Sequence, residues 1–299
     1  MELLPNLVQR GTTIVHSSTL IRALLSLVFL TPLSVMSQSE NIAEELAAAR
    51  PIAAGESPWI EELTWMEIRD LIAAGTTTVI VPTGGIEENG PYLATGKHNL
   101  ILEAVCPALA AELGNALCAP IVKFVPEGNI EPPSGAMLFP GSISLTQETY
   151  AALLTDIVAS LRQAGFTDIV LIGDSGGNQR GMATVADTLN AKWSGPTRVH
   201  FVREFYDPGW VETEQYTEHE LGVAEGEHDG YHDDIWVTAM MMVTDPAQVR
   251  YQQRMEADLA SINGVSIADL EAAIELGQKM VEFRAKFTAD AIRDSIASQ

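Results

Sequence analysis

The sequence predicts an α/β protein, a three-layer α/β/α domain around a largely parallel sheet. Two apolar runs, Thr76-Thr77-Thr78-Val79-Ile80-Val81-Pro82 and Asp168-Ile169-Val170-Leu171-Ile172, are rich in β-branched residues. Uninterrupted runs of this kind form strands buried on both faces. Segments with helical periodicity separate them, and strands alternating with helices imply βαβ units. At 299 residues and 46% hydrophobic, the chain can fill a core of one domain, at most two.

The elements follow in order. Residues 1–37 hold Arg10 and Arg22 before the apolar stretch Ala23-Leu24-Leu25-Ser26-Leu27-Val28-Phe29-Leu30, with Val35 and Ser37 as small residues near its end. That is the pattern of a secretory signal peptide, too short to span a bilayer, and it predicts an exported, periplasmic protein with no stable membrane insertion once it is removed. Residues 38–60 form a polar leader that is helical at its start. A domain over 61–299 follows. Residues 64–74 place Trp65, Ile68, Leu71 and Ile72 on one helical face. After the first strand comes the Gly84-Gly85 turn, then a helix over 100–113 closed by Gly114-Asn115. Residues 117–125 read as a strand, and a Pro/Gly-rich loop occupies 126–141. Thr146 caps a helix running to 163, and Gly165 ends it. Residues 176–192 form the next helix and 199–202 the next strand. From 234 onward the pattern is mostly helical. Met240-Met241-Met242 reads as helix core rather than as a metal box. The acidic stretch 212–227 reads as a solvated mobile loop covering the site, with Trp210 and Tyr216 facing substrate.

Composition narrows the function. Forty acidic against 17 basic residues give a net charge of −23, which repels phosphate backbones and disfavours nucleic-acid binding. The two cysteines, Cys106 and Cys118, are no disulfide framework and read as buried thiols, although an exported compartment permits a bond.

Three polar strings carry the candidate chemistry. The first is Glu87-Glu88-Asn89-Gly90-Pro91-Tyr92-Leu93-Ala94-Thr95-Gly96-Lys97-His98-Asn99. The second is Gly173-Asp174-Ser175-Gly176-Gly177-Asn178, and the third is Glu227-His228-Asp229-Gly230-Tyr231-His232-Asp233-Asp234. Carboxylates and imidazoles are ligands for a borderline divalent ion. The first two strings begin where strands end, where open α/β sheets bind ligands. The plain alternative is an exposed turn glutamate and loop histidines bonded to backbone.

These strings resemble the creatininase (creatinine amidohydrolase) family. The first matches its Glu-x-His-Gly-Pro-His-Leu-Pro segment, and Phe139-Pro140-Gly141-Ser142-Ile143-Ser144-Leu145 its Phe-Pro-Gly-Thr-Ile-Ser-Leu segment. The second matches its Asn-Gly-His-Gly-Gly-Asn and the third its acid-His-Ala-Gly-Glu-x-Glu. The resemblance implies a hydrolase of small amides, lactams or other non-peptide C–N bonds, assembled as a homo-oligomer, often a hexamer. It also marks departures. Glu87 keeps a family metal ligand and Asp233 matches the last acidic position. Asn89 and Ser175 stand where the family has ligand histidines, His98 where it has a bridging aspartate, and Gly177 where creatininase has a glutamate.

The expected centre is therefore altered: one Zn, Mn or Fe ion held by Glu87, His98 and Asp233, with Asp174 or His232 nearby. A single ion is expected because histidine does not bridge two metals as a carboxylate does, and Lys97 adds positive charge. Glu227 and His228 are the candidate proton shuttles to the leaving nitrogen. A serine hydrolase using Ser175 with His232 and Asp229 is the second reading. A non-catalytic exported ligand-binding protein is the third.

Overall fold

A computed structural model describes residues 41–298. The segment 1–37, expected to be a signal peptide, lies outside the described residues. Residues 41–47 form one helical stretch within a unit that ends at Ile52. The remainder, from Ala53, is a second unit built on four strands.

Those strands are β1 (Thr78–Thr83), β2 (Ala116–Cys118), β3 (Asp168–Gly173) and β4 (Arg198–Phe201). They pair in parallel in the order β2-β1-β3-β4, with Thr78 opposite Asp168 and Thr83 opposite Gly173. Successive crossovers leave β1 in opposite directions, so the switch point of the sheet falls between β1 and β3.

Eight helices surround the sheet: α1 (Trp65–Ala73), α2 (Lys97–Leu113), α3 (Gln147–Ala164), α4 (Gln179–Lys192), α5 (Gly209–Gln215), α6 (Ile235–Thr244), α7 (Tyr251–Glu256) and α8 (Leu270–Ala297). Strand side chains alternate between two cores. Ile80 and Val170 join Ile101 of α2, Met240 of α6 and Met280 of α8. Val79, Val81 and Ile169 face the other way, onto Leu154 of α3, Val185 of α4 and, at the margin, Ile68 of α1. This is the three-layer arrangement that the buried strand runs imply.

Local chemistry sets the element ends. Thr64 and Glu67 form a reciprocal capping box at α1, and Gly165 takes φ 113° to end α3. Gly277 is required where α8 meets α6, because a Cβ there would lie 2.1 Å from the carbonyl oxygen of Ala239. The three methionines Met240, Met241 and Met242 are fully buried in α6, as core.

Four expectations are corrected. The helix expected from 100 begins at Lys97, so His98 lies in its first turn instead of a loop. The strand expected over 117–125 shortens to β2, and isolated bridges at Val122 and Val125 continue the path. Pro120 has no N–H for a ladder at that point. Part of the acidic stretch is α5 and a π-helical turn, Tyr216–Glu220, whose Tyr216 stacks on Phe283 at 4.2 Å. That stacking gives the segment an anchor a solvated loop would lack. Finally, Cys106 and Cys118 are joined in a disulfide, because α2 packs beside β2 and brings their Cα atoms to 6.3 Å. The C-terminal region also carries a small hairpin, Ser261–Ile262 with Val265–Ser266, in addition to its helices.

Candidate active site

The chain after β1 turns through Gly84 and Gly85, and neither could carry a side chain. A Cβ on Gly84 would lie 2.0 Å from Oδ1 of Asn99, and one on Gly85 would lie 1.9 Å from Oε1 of Glu127. Asn99 accepts from the Gly85 N–H at 3.2 Å and donates to its carbonyl at 2.9 Å. This clamp fixes the first string to the first turn of α2. Across the switch point, Nδ2 of Asn178 donates to the carbonyls of Thr83 and Gly84, both at 2.9 Å. The ends of β1 and β3 are thereby tied together.

His98 sits between two carboxylates. Its Nδ1 is 2.7 Å from Oδ2 of Asp174, and its Nε2 is 2.7 Å from Oε1 of Glu87. Asp174 is fully buried, and its other oxygen takes Nη2 of Arg284 at 2.6 Å and Nε1 of Trp210 at 3.4 Å. Lys97, beside His98, places Nζ 3.4 Å from Oε1 of Glu87 and over the Trp210 ring at 5.6 Å. Trp210 continues into an aromatic wall, 5.5 Å from Tyr206 and edge-on to Trp236 at 4.9 Å between ring centres.

Glu127 enters from the Pro/Gly-rich loop. Its N–H donates to Oγ of Ser144, and Ser175 donates to its Oε2 at 2.8 Å. Its Oε1 is buried and has no hydrogen-bond partner.

These contacts separate the titrations. Burial pushes Glu87 upward, but the bond to His98 and the charges of His98 and Lys97 prevail and hold it at about 2. Burial and the Glu87 charge push Glu127 up to about 7. For Asp174, burial is outweighed by Arg284 and His98, which hold it well below the usual carboxylate range. For His98, burial and Lys97 favour the neutral ring, yet the bonds to Asp174 and Glu87 raise it. Two neighbouring carboxyls with values this far apart share a proton up to neutral pH.

Glu87, His98 and Glu127 offer ligand atoms that all lie within 4.8 Å of one another. This set fits a divalent ion: two carboxylates and an imidazole, one oxygen buried without a partner, and Asp174 behind the ring as an orienting carboxylate.

The structure brings together Glu87, His98, Asp174 and Ser175 from the expected residues. It does not give all of them the expected part. Both oxygens of Asp174 are engaged by His98 and Arg284, which places it behind the His98 ring. Asp233 is buried apart from the cluster, 3.9 Å from Nη1 of Arg254; burial and Asp229 push it up to about 6. His232 is exposed and is not one of the three side chains that converge. Glu227 is also exposed, and His228 pairs with Asp234 at 2.8 Å in a separate group with Glu225. The serine triad is not assembled: Ser175 bonds Glu127, and the Asp229 carboxylate accepts from the Tyr231 N–H. Tyr231 nevertheless lies against Gly90, so the third string does meet the first.

Sequence reasoning passed over Glu127, Arg284 and Tyr206. Glu127 had a usable signal, an acid just past a strand-like run. Arg284 lies within the long α8 and had none. Gly177 explains part of the exchange: a Cβ there would lie 1.7 Å from the carbonyl oxygen of Pro126, so the backbone beside Glu127 occupies the space a side chain would need.

A parallel α/β/α sheet with a buried carboxylate and imidazole centre at its switch point defines the class: an α/β protein with a site suited to a divalent ion. The comparisons give the family. The family model Creatininase, creatinine amidohydrolase, matches residues 61–290, and the chain belongs to this family. The creatinine amidohydrolase of Pseudomonas putida is 30% identical over 117 residues, covering 39% of this chain and 44% of that protein, so the match spans less than half of the relative. Among solved structures, a creatininase point mutant superposes with a TM-score of 0.58 at 22% identity, covering 81% of this chain and 99% of that one. A creatinine amidohydrolase crystal structure gives 0.57 at 22%, covering 80% and 98%. A creatininase mutant described as Zn-Zn type gives 0.56 at 23%, covering 80% and 98%. At these identities the superpositions establish the fold.

Proposed function

We propose that this protein hydrolyses a non-peptide C–N bond in a small amide, lactam or cyclic amide, using one divalent ion held by Glu87, His98 and Glu127. The single observation that carries this reading is the convergence of those three side chains, within 4.8 Å, at the switch point of a creatininase-family sheet. A divalent ion bound there supplies Lewis acidity and lowers the pKa of its water. The protein groups do the rest. Asp174 holds the His98 ring in one orientation. Ser175 fixes Oε2 of Glu127, leaving Oε1 as the oxygen that would face the ion. Trp210 and Tyr206, inclined at 50° to each other, provide aromatic faces against which a planar amide can lie.

The test is metal content and turnover together. Wild type is expected to hold Zn, Mn or Fe and to hydrolyse members of a lactam and cyclic-amide panel, while Glu87→Ala and His98→Ala lose both. A wild type that holds no stoichiometric metal and turns over none of the panel overturns the reading. A non-catalytic binding protein is the second reading, favoured by the internal pairing of His98, Lys97 and Arg284; it requires ligand-induced thermal shifts without turnover.

The disulfide between Cys106 and Cys118 supports an exported, oxidising location. The exposed Phe124, Ile130, Leu138, Phe139 and Ile143, all from one segment, support self-association, which light scattering on the purified protein measures.

A further inference from the structure

Lys97 is 1% exposed, which is unusual for an ammonium unless it is paired. Its Nζ lies 3.4 Å from Oε1 of Glu87, the same oxygen that faces Nε2 of His98, and Trp210 covers it from above at 5.6 Å. Three carboxylates meet here: Glu87, Glu127 and Asp174. The other permanent cation, Arg284, is committed to Asp174 at 2.6 Å and stacks on Phe205 at 4.0 Å. Lys97 is therefore the fixed positive charge that serves Glu87.

Two-ion hydrolytic centres hold their ions roughly 3.5–4 Å apart. The Glu87 oxygen that would take an ion already has a buried ammonium 3.4 Å away. A second divalent ion would face that ammonium as well as the first ion, in a place screened from water.

We propose that Lys97 is the resident cation of this centre, standing in for a second divalent ion and limiting the site to one. The proposal rests on the reading that Glu87, His98 and Glu127 take a divalent ion. It goes further in assigning to one side chain the stoichiometry of the site.

The experiment is calorimetric titration of the chelator-treated full chain with Mn²⁺, comparing wild type with Lys97→Met. Wild type is expected to take one equivalent. Lys97→Met, which keeps the side-chain length and removes the charge, is expected to bind at least tenfold more tightly or to accept a second equivalent. Two equivalents in wild type overturn the proposal, as does a Lys97→Met protein that binds no more ions and no more tightly than wild type. If wild type takes no Mn²⁺ and Lys97→Met takes one, the metal reading of the native protein falls and the assignment of Lys97 stands. Should Lys97→Met fail to fold, Lys97→Gln takes its place in the same titration and is judged by the same outcomes.

Discussion

Oδ2 of Asp174 lies 2.7 Å from Nδ1 of His98, with both side chains sealed from solvent. This contact fixes which imidazole nitrogen faces Glu87 and Glu127. Asp174→Asn weakens that control and is expected to lower divalent-ion affinity by roughly 10- to 100-fold, the usual effect of losing an orienting carboxylate. Asp174→Ala also strands the buried Arg284, at a cost of about 3–5 kcal/mol. Mn²⁺ titration and urea unfolding measure the two effects separately.

Glu127 makes the stability of the metal-free protein depend on pH. Its native value near 7 is above the ordinary 4.5, so the native state holds a proton that the unfolded chain releases. The stabilisation is fully present below about 4.5 and is lost as pH rises through 7. Glu127→Gln is expected to remove this fall, and urea midpoints at a series of pH values between 4.5 and 8 compare the two proteins. Divalent ions compete with the same proton, so their affinity for wild type rises over the same interval.

His98 and His228 separate the two histidine-bearing clusters. His98→Ala removes the buried imidazole proposed as a ligand and is expected to abolish metal retention. His228→Ala removes a side chain that is 51% exposed and paired only at the surface, and it leaves metal content unchanged. Elemental analysis after gel filtration distinguishes them; equal loss in both variants would count against the centre assigned here.

Reduction of the bond between Cys106 and Cys118 frees a loop with a sequence separation of 12 residues. Chain entropy assigns a closed loop of this size about 3 kcal/mol. The double variant Cys106→Ser, Cys118→Ser is expected to unfold at lower urea, and intact mass with and without reductant checks that the native bond is present.

Gly277→Ala places a methyl group against the Ala239 carbonyl, where α8 meets α6. The helices must separate, with a loss of about 1–3 kcal/mol. Thermal unfolding reads it, and an unchanged midpoint would mean the helices can shift freely.

The sequence by itself determined the layers and the place of the site. Runs such as Val79-Ile80-Val81 and Ile169-Val170-Leu171 can be buried on both faces only between two layers of helices, and the strings after β1 and β3 mark the carboxyl ends of neighbouring strands. It also supplied Glu87 and His98, which stand at the two ends of one short string, His98 in the first turn of α2. The tertiary structure decided which partners completed them. Glu127 is 40 residues from Glu87 in number but lies against Gly85, and Arg284, from the C-terminal helix, takes the second oxygen of Asp174. Asp233, kept from the family pattern, went to Arg254 instead. Periodicity records which face of an element is apolar, whereas the pairing of buried charges depends on distances between elements far apart in the chain. The sequence therefore located the centre, and packing chose its members.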